Sequence, residues 1–144
     1  MEKKEVLVII PAYNEETNIV KVLDDLEQPE IAAIADVLVM NDASSDATNW
    51  IVKARGHALV THVFNLGYGS ALQLGYKYAI RRGYQYVIQM DADGQHDVCN
   101  IPVIYKRRMR MEIIRILSSA HGLWKAVLTF RYHRRRRLHL SCSV

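Results

Sequence analysis

Residues 5–10 read Glu5-Val6-Leu7-Val8-Ile9-Ile10, an apolar run of strand length that decides the fold. Such a run, without polar alternation, is typical of a strand buried on both faces in a parallel sheet. Further strands and intervening helices are predicted along the chain, the strands at 36–40, 58–63 and 84–90 and the helices at 17–26, 47–55 and 71–82. This alternation predicts an α/β fold with a mostly parallel sheet and flanking helices.

Ligands of such sheets bind beyond the carboxyl ends of the strands. Those ends carry residues 11–15, 41–46, 65–69 and 91–97. Three of the four segments hold carboxylates. We therefore expect them to converge on one polar ligand. The helix at 47–55 is expected to bury Trp50.

An apolar segment ending at Met90 leads directly into Asp91 and Asp93. Two residues apart in extended chain, their side chains point to one face. Paired carboxylates suit a hard divalent cation, which stabilises the negative charge of a departing nucleoside diphosphate. The alternative is a solvated turn followed by a helix cap at Asp97.

The other polar strand ends allow two interpretations each. Asp42 is expected to contact a base or ribose, and otherwise to cap the next helix, a role that Asp46 fits better. Asn14 and Glu15 divide between capping and base contact. His96 is a third candidate for metal or phosphate, although a lone histidine is more often structural. The glycine-rich segment at 65–70 lacks the dinucleotide pattern GxGxxG and is expected to pack beside the nucleotide.

The composition fits one globular domain in a reducing compartment. The two cysteines, Cys99 and Cys142, form no CxxC pair, which argues against a thiolate metal site or disulfide scaffold. The N-terminus runs directly into a strand, and no 18-residue apolar run occurs. We therefore expect no signal peptide, no transmembrane helix and a cytoplasmic location.

Charge is segregated along the chain. Residues 1–105 have a net charge of −6, whereas residues 106–144 have +10. The overall charge therefore does not indicate nucleic-acid binding. We expect a ligand-binding domain over 1–105 and a basic, partly amphipathic helical tail over 106–144. The apolar stripe at 113–128 could contact the inner membrane face peripherally, or pack on the sheet ahead of a disordered basic end.

Four motifs together resemble the family 2 glycosyltransferases, in the subgroup akin to dolichyl-phosphate mannose synthase and bacterial cell-envelope glycosyltransferases. They agree in order and spacing, and they lie at 10–16, 41–48, 65–69 and 91–97. The resemblance covers about residues 5–105. It implies a Rossmann-like GT-A fold, a nucleotide-diphospho-sugar donor, Mg²⁺ or Mn²⁺, and inversion at the anomeric carbon. UDP-sugar is the default donor, GDP-sugar is the alternative, and the acceptor is a lipid phosphate or a saccharide.

The resemblance also implies roles for individual residues. Asp93 would ligate the metal on the diphosphate, with Asp91 near the ribose or metal. Asp42 would contact base or ribose. The implied nucleotide-sugar-binding residues are Pro11, Ala12, Tyr13, Glu15, Asp42, Gly67, Asp91, Ala92 and Asp93.

The chain departs from the family pattern at two places. Asn41 and Ala43 stand where the family often has Asp and Gly, and Ala43 lacks the freedom of glycine at positive φ. After Lys106 the family continues with an acceptor-binding half that holds the catalytic base, yet Glu112 is the one acid beyond Asp97. We identify no base. A truncated or frame-shifted reading frame is expected, with donor binding retained and transfer poor or absent.

Three other functions compete with this interpretation. A haloacid dehalogenase-type phosphatase also has an Asp-x-Asp-Gly motif after a strand, although Gln95 replaces its usual Thr. A nucleotidyltransferase shares a similar sheet but has a basic, glycine-rich loop after its first strand. A membrane-surface interaction module would use the basic tail.

Overall fold

A computed structural model describes residues 4–93, 98, 101, 102 and 105, and the backbone of two later strands. Its elements are β1 (Val6–Ala12), α1 (Glu16–Leu26), α2 (Pro29–Ala32), β2 (Ala35–Asn41), α3 (Thr48–Ala54), β3 (Ala58–Thr61), α4 (Tyr68–Arg82), β4 (Tyr86–Gln89), β5 (Ile114–Ile116) and β6 (Lys125–Leu128). The strand order is β3-β2-β1-β4-β6-β5, and only β5 runs antiparallel to its neighbour. The predicted mostly parallel α/β sheet is confirmed.

The first strand lies inside the sheet between β2 and β4, and alternate residues enter opposite layers. Val6, Val8 and Ile10 pack with the buried face of α1. Leu7 and Ile9 pack with α4 on the other side. The residues of β1 are buried throughout, so the predicted burial on both faces is confirmed.

Helix α4 lies very close to the sheet at one point. A Cβ added at Gly75 would lie 2.8 Å from Cγ2 of Ile9 and 3.4 Å from Cγ of Met40. Real Cβ atoms do not approach side chains so closely, so a larger residue would force the helix away. This contact fixes how α4 lies across β1 and β2, and hence where its first residue, Tyr68, is placed.

Strand β1 extends beyond the apolar run at 5–10, and the predicted burial of Trp50 is wrong. Strand β1 continues through Pro11. The last residue of β1 that pairs with β4 is Ile9, so the absence of a backbone N–H at Pro11 disrupts the sheet less than it would within the paired region. Trp50 is 72% exposed. Helix α3 instead buries Thr48 and Val52, which are four residues apart on one face and leave Trp50 on the opposite face.

The predicted helical tail is wrong where the structure describes it. Residues 114–116 and 125–128 are strands, and β6 pairs in parallel with β4. Strand β4 offers unpaired backbone groups on that side, and pairing satisfies them. The rest of the tail lies outside the described residues, and the boundary at 105 stays a prediction. None of the described helices is both long and apolar enough to cross a bilayer.

Candidate functional site

Four loops follow the carboxyl ends of β1 to β4, and hydrogen bonds join them into one continuous edge. We call them the first loop (13–15), the second loop (42–47), the third loop (62–67) and the fourth loop (90–93). Together they are the rim. The first loop bonds to the second, the second to the third, and the start of α4 to the fourth. The described parts of these segments therefore do lie together on one edge, and their convergence on one ligand stays a prediction.

Asn14 joins the first loop to the second. Its N–H donates to Oγ of Ser44 at 3.0 Å, and its Oδ1 accepts from the Ser45 N–H at 2.9 Å. Its φ of 54° lies in the left-handed region, which asparagine tolerates better than most residues. Asn14 therefore shapes the rim. The capping alternative is wrong for Asn14, because the N-cap residue of α1 is Glu15 and the Asn14 side chain bonds to the second loop instead.

Asp46 caps two helices at once. Its Oδ2 accepts from the Glu16 N–H and its Oδ1 from the Thr48 N–H, both at 3.0 Å. Burial by itself would raise the pKa of Asp46, but hydrogen bonds from Thr48 and Glu16 outweigh burial and lower the pKa. The capping interpretation of Asp46 is confirmed.

Asp42 is the buried anchor of the third loop. It is 4% exposed. Its Oδ1 accepts from Nδ1 of His62 at 2.7 Å and from the Leu66 N–H at 2.9 Å, while its Oδ2 accepts from the Gly67 N–H at 2.7 Å. Burial would raise the pKa of Asp42, yet these hydrogen bonds together lower it.

These contacts decide one alternative for Asp42 and leave the other as a prediction. The helix cap is wrong, because the partners of the Asp42 carboxylate lie in the third loop and none of them is in α3. Contact with a base or ribose stays a prediction. A carboxylate oxygen can accept two hydrogen bonds, and Oδ2 accepts one from the described part of the chain. Asp42 therefore has capacity for one ligand donor.

The second loop accommodates both departures from the family pattern. Ala43 has a φ of 60°, a left-handed conformation that costs an ordinary residue about 1–2 kcal/mol. Oδ1 of Asn41 accepts from the Ser44 N–H at 3.1 Å. An amide oxygen thus closes the turn as a carboxylate oxygen could, and the strain at Ala43 is held by the surrounding bonds.

Gly67 adopts a conformation reserved for glycine. Its φ is 85° and its ψ is 162°. The same residue donates its N–H to Asp42 and precedes Tyr68, the first residue of α4. The backbone of Gly67 thus sets both the Asp42 anchor and the start of the helix.

We expect Gly67→Ala to destabilise the chain by about 1–3 kcal/mol, because the strained backbone would have to be retained. Gly69→Ala is the matched control and should be neutral or stabilising, since Gly69 is helical. Neither added Cβ meets an atom within 4 Å, so crowding does not differ between them. Urea unfolding followed by circular dichroism measures both, and equal effects would contradict this account of Gly67.

The fourth loop presents the two predicted acids. Burial alternates along it: Met90 and Ala92 are buried, Asp91 is half-buried and Asp93 is exposed. The hydroxyl of Tyr68 donates to Oδ1 of Asp91 at 2.7 Å. Burial and this hydrogen bond raise the pKa of Tyr68 to about 12, so its hydroxyl is a donor at neutral pH.

The remaining predicted residues differ in accessibility. Pro11, Ala12 and Ala92 are buried, so their side chains shape the site from beneath. Tyr13 is 49% exposed, and Glu15 accepts from the Asn18 amide at 2.9 Å. His96 and Asp97 lie outside the described residues.

Sequence reasoning missed Tyr68, Gln89 and His62. Gln89 gave a signal, as the one polar residue at the end of the apolar strand β4. Tyr68 gave a weaker one, since it follows a glycine at the start of a helix. Nothing local marked His62 as the partner of Asp42, because they are 20 residues apart.

The two acids of the fourth loop are of the kind that bind a divalent cation whose remaining ligands come from a bound substrate and water. In the described part of the chain, no three His, Cys, Asp or Glu side chains cluster as a metal-binding group. Mg²⁺ is commonly held by one or two carboxylates together with substrate phosphates and water. Asp91 and Asp93 are the two residues of the fourth loop that could provide such carboxylates, and Asp93 is exposed at the rim.

Comparison with known sequences identifies one family. The profile described as Glycosyl transferase family 2 matches residues 7–111. Two uncharacterised proteins of Methanocaldococcus jannaschii are similar. One is 34% identical over 106 residues, covering 74% of this chain and 42% of its own length. The other is 37% identical over 108 residues, covering 70% and 45%. The chain thus spans less than half of these relatives.

Solved structures share the fold. Glucosyl-3-phosphoglycerate synthase from Mycobacterium tuberculosis, in complex with Mn²⁺, UDP and phosphoglyceric acid, matches with a TM-score of 0.60 and 23% identity, over 78% of this chain and 41% of that one. S. aureus TarS (1–349) matches with a TM-score of 0.57 and 22% identity, over 83% and 38%. The described sheet is therefore an incomplete form of the fold of these proteins.

Proposed function

The chain belongs to glycosyl transferase family 2, and from this premise we propose that its rim binds a nucleotide-diphospho-sugar for glycosyl transfer. UDP is the first candidate for the nucleotide. A bound Mg²⁺ or Mn²⁺, inversion at the anomeric carbon, and a lipid-phosphate or saccharide acceptor are further parts of the proposal. The chain covers about two fifths of the synthase and of TarS, so the activity of a complete protein is likewise proposed.

One observation carries the proposal. Asp91 and Asp93 follow β4, which pairs with the interior strand β1, and they lie on the edge where the other three loops are joined. A ligand that carries both an anionic diphosphate and a polar nucleoside can use acids with a cation at one end and amides and carboxylates along the rest. The synthase structure with Mn²⁺ and UDP supports this choice through its shared fold.

Each part of the rim has a proposed task. Asp93 holds the cation, with Asp91 as its second ligand. The cation, when bound, neutralises charge on the departing diphosphate. Tyr13 and Glu15 contact the base, and Asp42 contacts the base or ribose with its remaining acceptor capacity. Gly67 shapes the loop beside the nucleotide. No described residue is assigned as the general base.

We expect UDP to bind at least tenfold more tightly in Mn²⁺ than in EDTA, because a cation held by Asp91 and Asp93 would offset the negative charge of the diphosphate. Isothermal titration of UDP, GDP, ADP and CDP under both conditions measures this and identifies the base. UMP is the matched control, since it lacks the second phosphate and should lose most of the metal dependence. Equal UDP affinity in Mn²⁺ and EDTA would contradict the proposal.

Membership of the family weakens two of the three competing functions. Family membership accounts for the motifs that suggested a phosphatase or a nucleotidyltransferase, and no observation favours either. A cytoplasmic location with peripheral membrane contact through the basic tail stays a proposal, and the four consecutive arginines of the tail lie within residues 132–144. Flotation with anionic liposomes, with and without those residues, tests the membrane contact.

A further inference from the structure

We propose that Tyr68 is a positioning residue of the donor site, which holds the Asp91 carboxylate in place and is itself held through Gln89 by Tyr76. This inference rests on the proposed donor binding. It adds three residues that sequence reasoning did not include, and none of them needs to touch the substrate.

The three side chains form one hydrogen-bonded series that ends at the acid. The Tyr76 hydroxyl donates to Oε1 of Gln89 at 2.7 Å. Nε2 of Gln89 donates to the Tyr68 hydroxyl oxygen at 2.5 Å. The Tyr68 hydroxyl then donates to Oδ1 of Asp91 at 2.7 Å. We call this series the tyrosine relay.

The direction of the relay follows from donor capacity. A tyrosine hydroxyl has one proton, and an ionised carboxylate only accepts. With the Gln89 amide group toward Tyr68, the Tyr68 proton is available to Asp91. With the amide reversed, Tyr68 would face a second acceptor, and its one proton could not serve both. Gln89 therefore directs the proton of Tyr68 to Asp91.

The far end of the relay is anchored in rigid structure. Tyr76 packs against the core layer that contains Leu7 and Ile9. Gln89 is paired with Ile9 at the last β4 position in register with β1. Tyr68 and Asp91, by contrast, lie at the start of a helix and in a loop. These hydrogen bonds therefore tie the Asp91 carboxylate, which lies in a loop, to residues packed on the sheet.

The consequence is an Asp91 side chain that is ordered before any ligand arrives. A site whose groups are already in place loses less conformational entropy on binding. Hydrogen bonds to a charged acceptor are also among the stronger ones in proteins. Removing the Tyr68 hydroxyl should therefore weaken the metal–diphosphate contact without disturbing the core.

Tyr68→Phe tests the proposal, with UDP titrated in Mn²⁺ and in EDTA. We expect about tenfold weaker binding in Mn²⁺, little change in EDTA, and an unchanged melting temperature. Tyr78→Phe is the matched control in the same helix, and it should bind as the wild type does. A wild-type affinity for Tyr68→Phe in Mn²⁺ would overturn the inference.

Gln89→Met separates positioning from direct contact. It keeps the Tyr68 ring and hydroxyl but removes both bonds of Gln89. Weakened binding in Mn²⁺ supports the relay, whereas wild-type affinity would show that Tyr68 does not act through it and would overturn the inference. If the wild-type chain itself shows no metal-dependent UDP binding, the proposed function fails. If the wild type binds UDP in a metal-dependent way and both variants bind it equally well, the relay is contradicted while the proposed function stands.

Discussion

Asp42→Ala should lower the free energy of unfolding by about 3–5 kcal/mol, because each buried donor that is left without its acceptor costs about 1–3 kcal/mol. The His62 ring and the Leu66 N–H lose this acceptor, and the Gly67 N–H keeps only its longer bond to Oδ1 of Asn65 at 3.1 Å. The carboxylate is almost fully buried, so water does not readily replace it. Urea unfolding followed by circular dichroism measures the change.

Two variants make that result specific. Asp42→Asn keeps the shape and one acceptor oxygen, so it should cost less than alanine. Glu30→Ala removes an exposed acid of α2, which precedes β2 and so lies at the opposite edge of the sheet, and should change stability by no more than about 0.5 kcal/mol. A loss below about 1 kcal/mol for Asp42→Ala would contradict the anchoring role.

Asp42 also gives the chain a defined pH dependence. The pKa of its carboxyl in the folded chain lies below the ordinary value of 3.8. A lowered pKa means that the stabilisation is present above the unfolded pKa and is lost as pH falls through the folded one. Asp42→Asn should therefore lose less stability than the wild type between pH 5 and pH 2. The pKa of Asp46 is also lowered, so the stability of Asp42→Asn should still fall as the pH decreases, but less steeply.

Asp93→Ala should remove most of the metal-dependent affinity for UDP, by a factor of about 10–100, because the cation would lose its principal protein ligand. Asp93 is exposed, so its truncation opens no cavity in the core. Stability should therefore stay within about 0.5 kcal/mol of the wild type. The two substitutions thus separate, since Asp42 mainly affects folding and Asp93 mainly affects binding.

The sequence was informative wherever the signal was local. The apolar run from Val6 to Ile10 could be placed inside a parallel sheet because a strand buried on both faces needs no polar alternation. Asp46 could be identified as a cap because it lies two residues before Thr48, which donates to it. Four strand ends could be assigned to one edge because parallel strands require it.

The sequence was uninformative where the partner is distant along the chain. Asp42 is 20 to 25 residues from the groups that hold it, and Tyr68 is 23 residues from Asp91. No periodicity specifies such pairs, since they depend on how α4 crosses the sheet at Gly75. The burial of Trp50 was also predicted wrongly, because tertiary packing decides which face of α3 is buried and that face holds Thr48 and Val52.

The tail shows a different limit. Apolar residues at 113–128 have helical spacing, yet Ile114–Ile116 and Lys125–Leu128 are strands. A short apolar segment can serve either structure, and here the open side of β4 decides in favour of pairing. Tertiary context thus outweighed periodicity.

The most direct test of the central claim is the affinity of UDP for the wild-type chain, Asp93→Ala and Glu30→Ala, each in Mn²⁺ and in EDTA. We predict tight binding for the wild type and Glu30→Ala in Mn²⁺. Asp93→Ala in Mn²⁺ should bind only as weakly as the wild type does in EDTA. Asp93→Ala binding UDP as tightly as the wild type in Mn²⁺ would contradict the assignment of the rim as a metal-dependent nucleotide-sugar site.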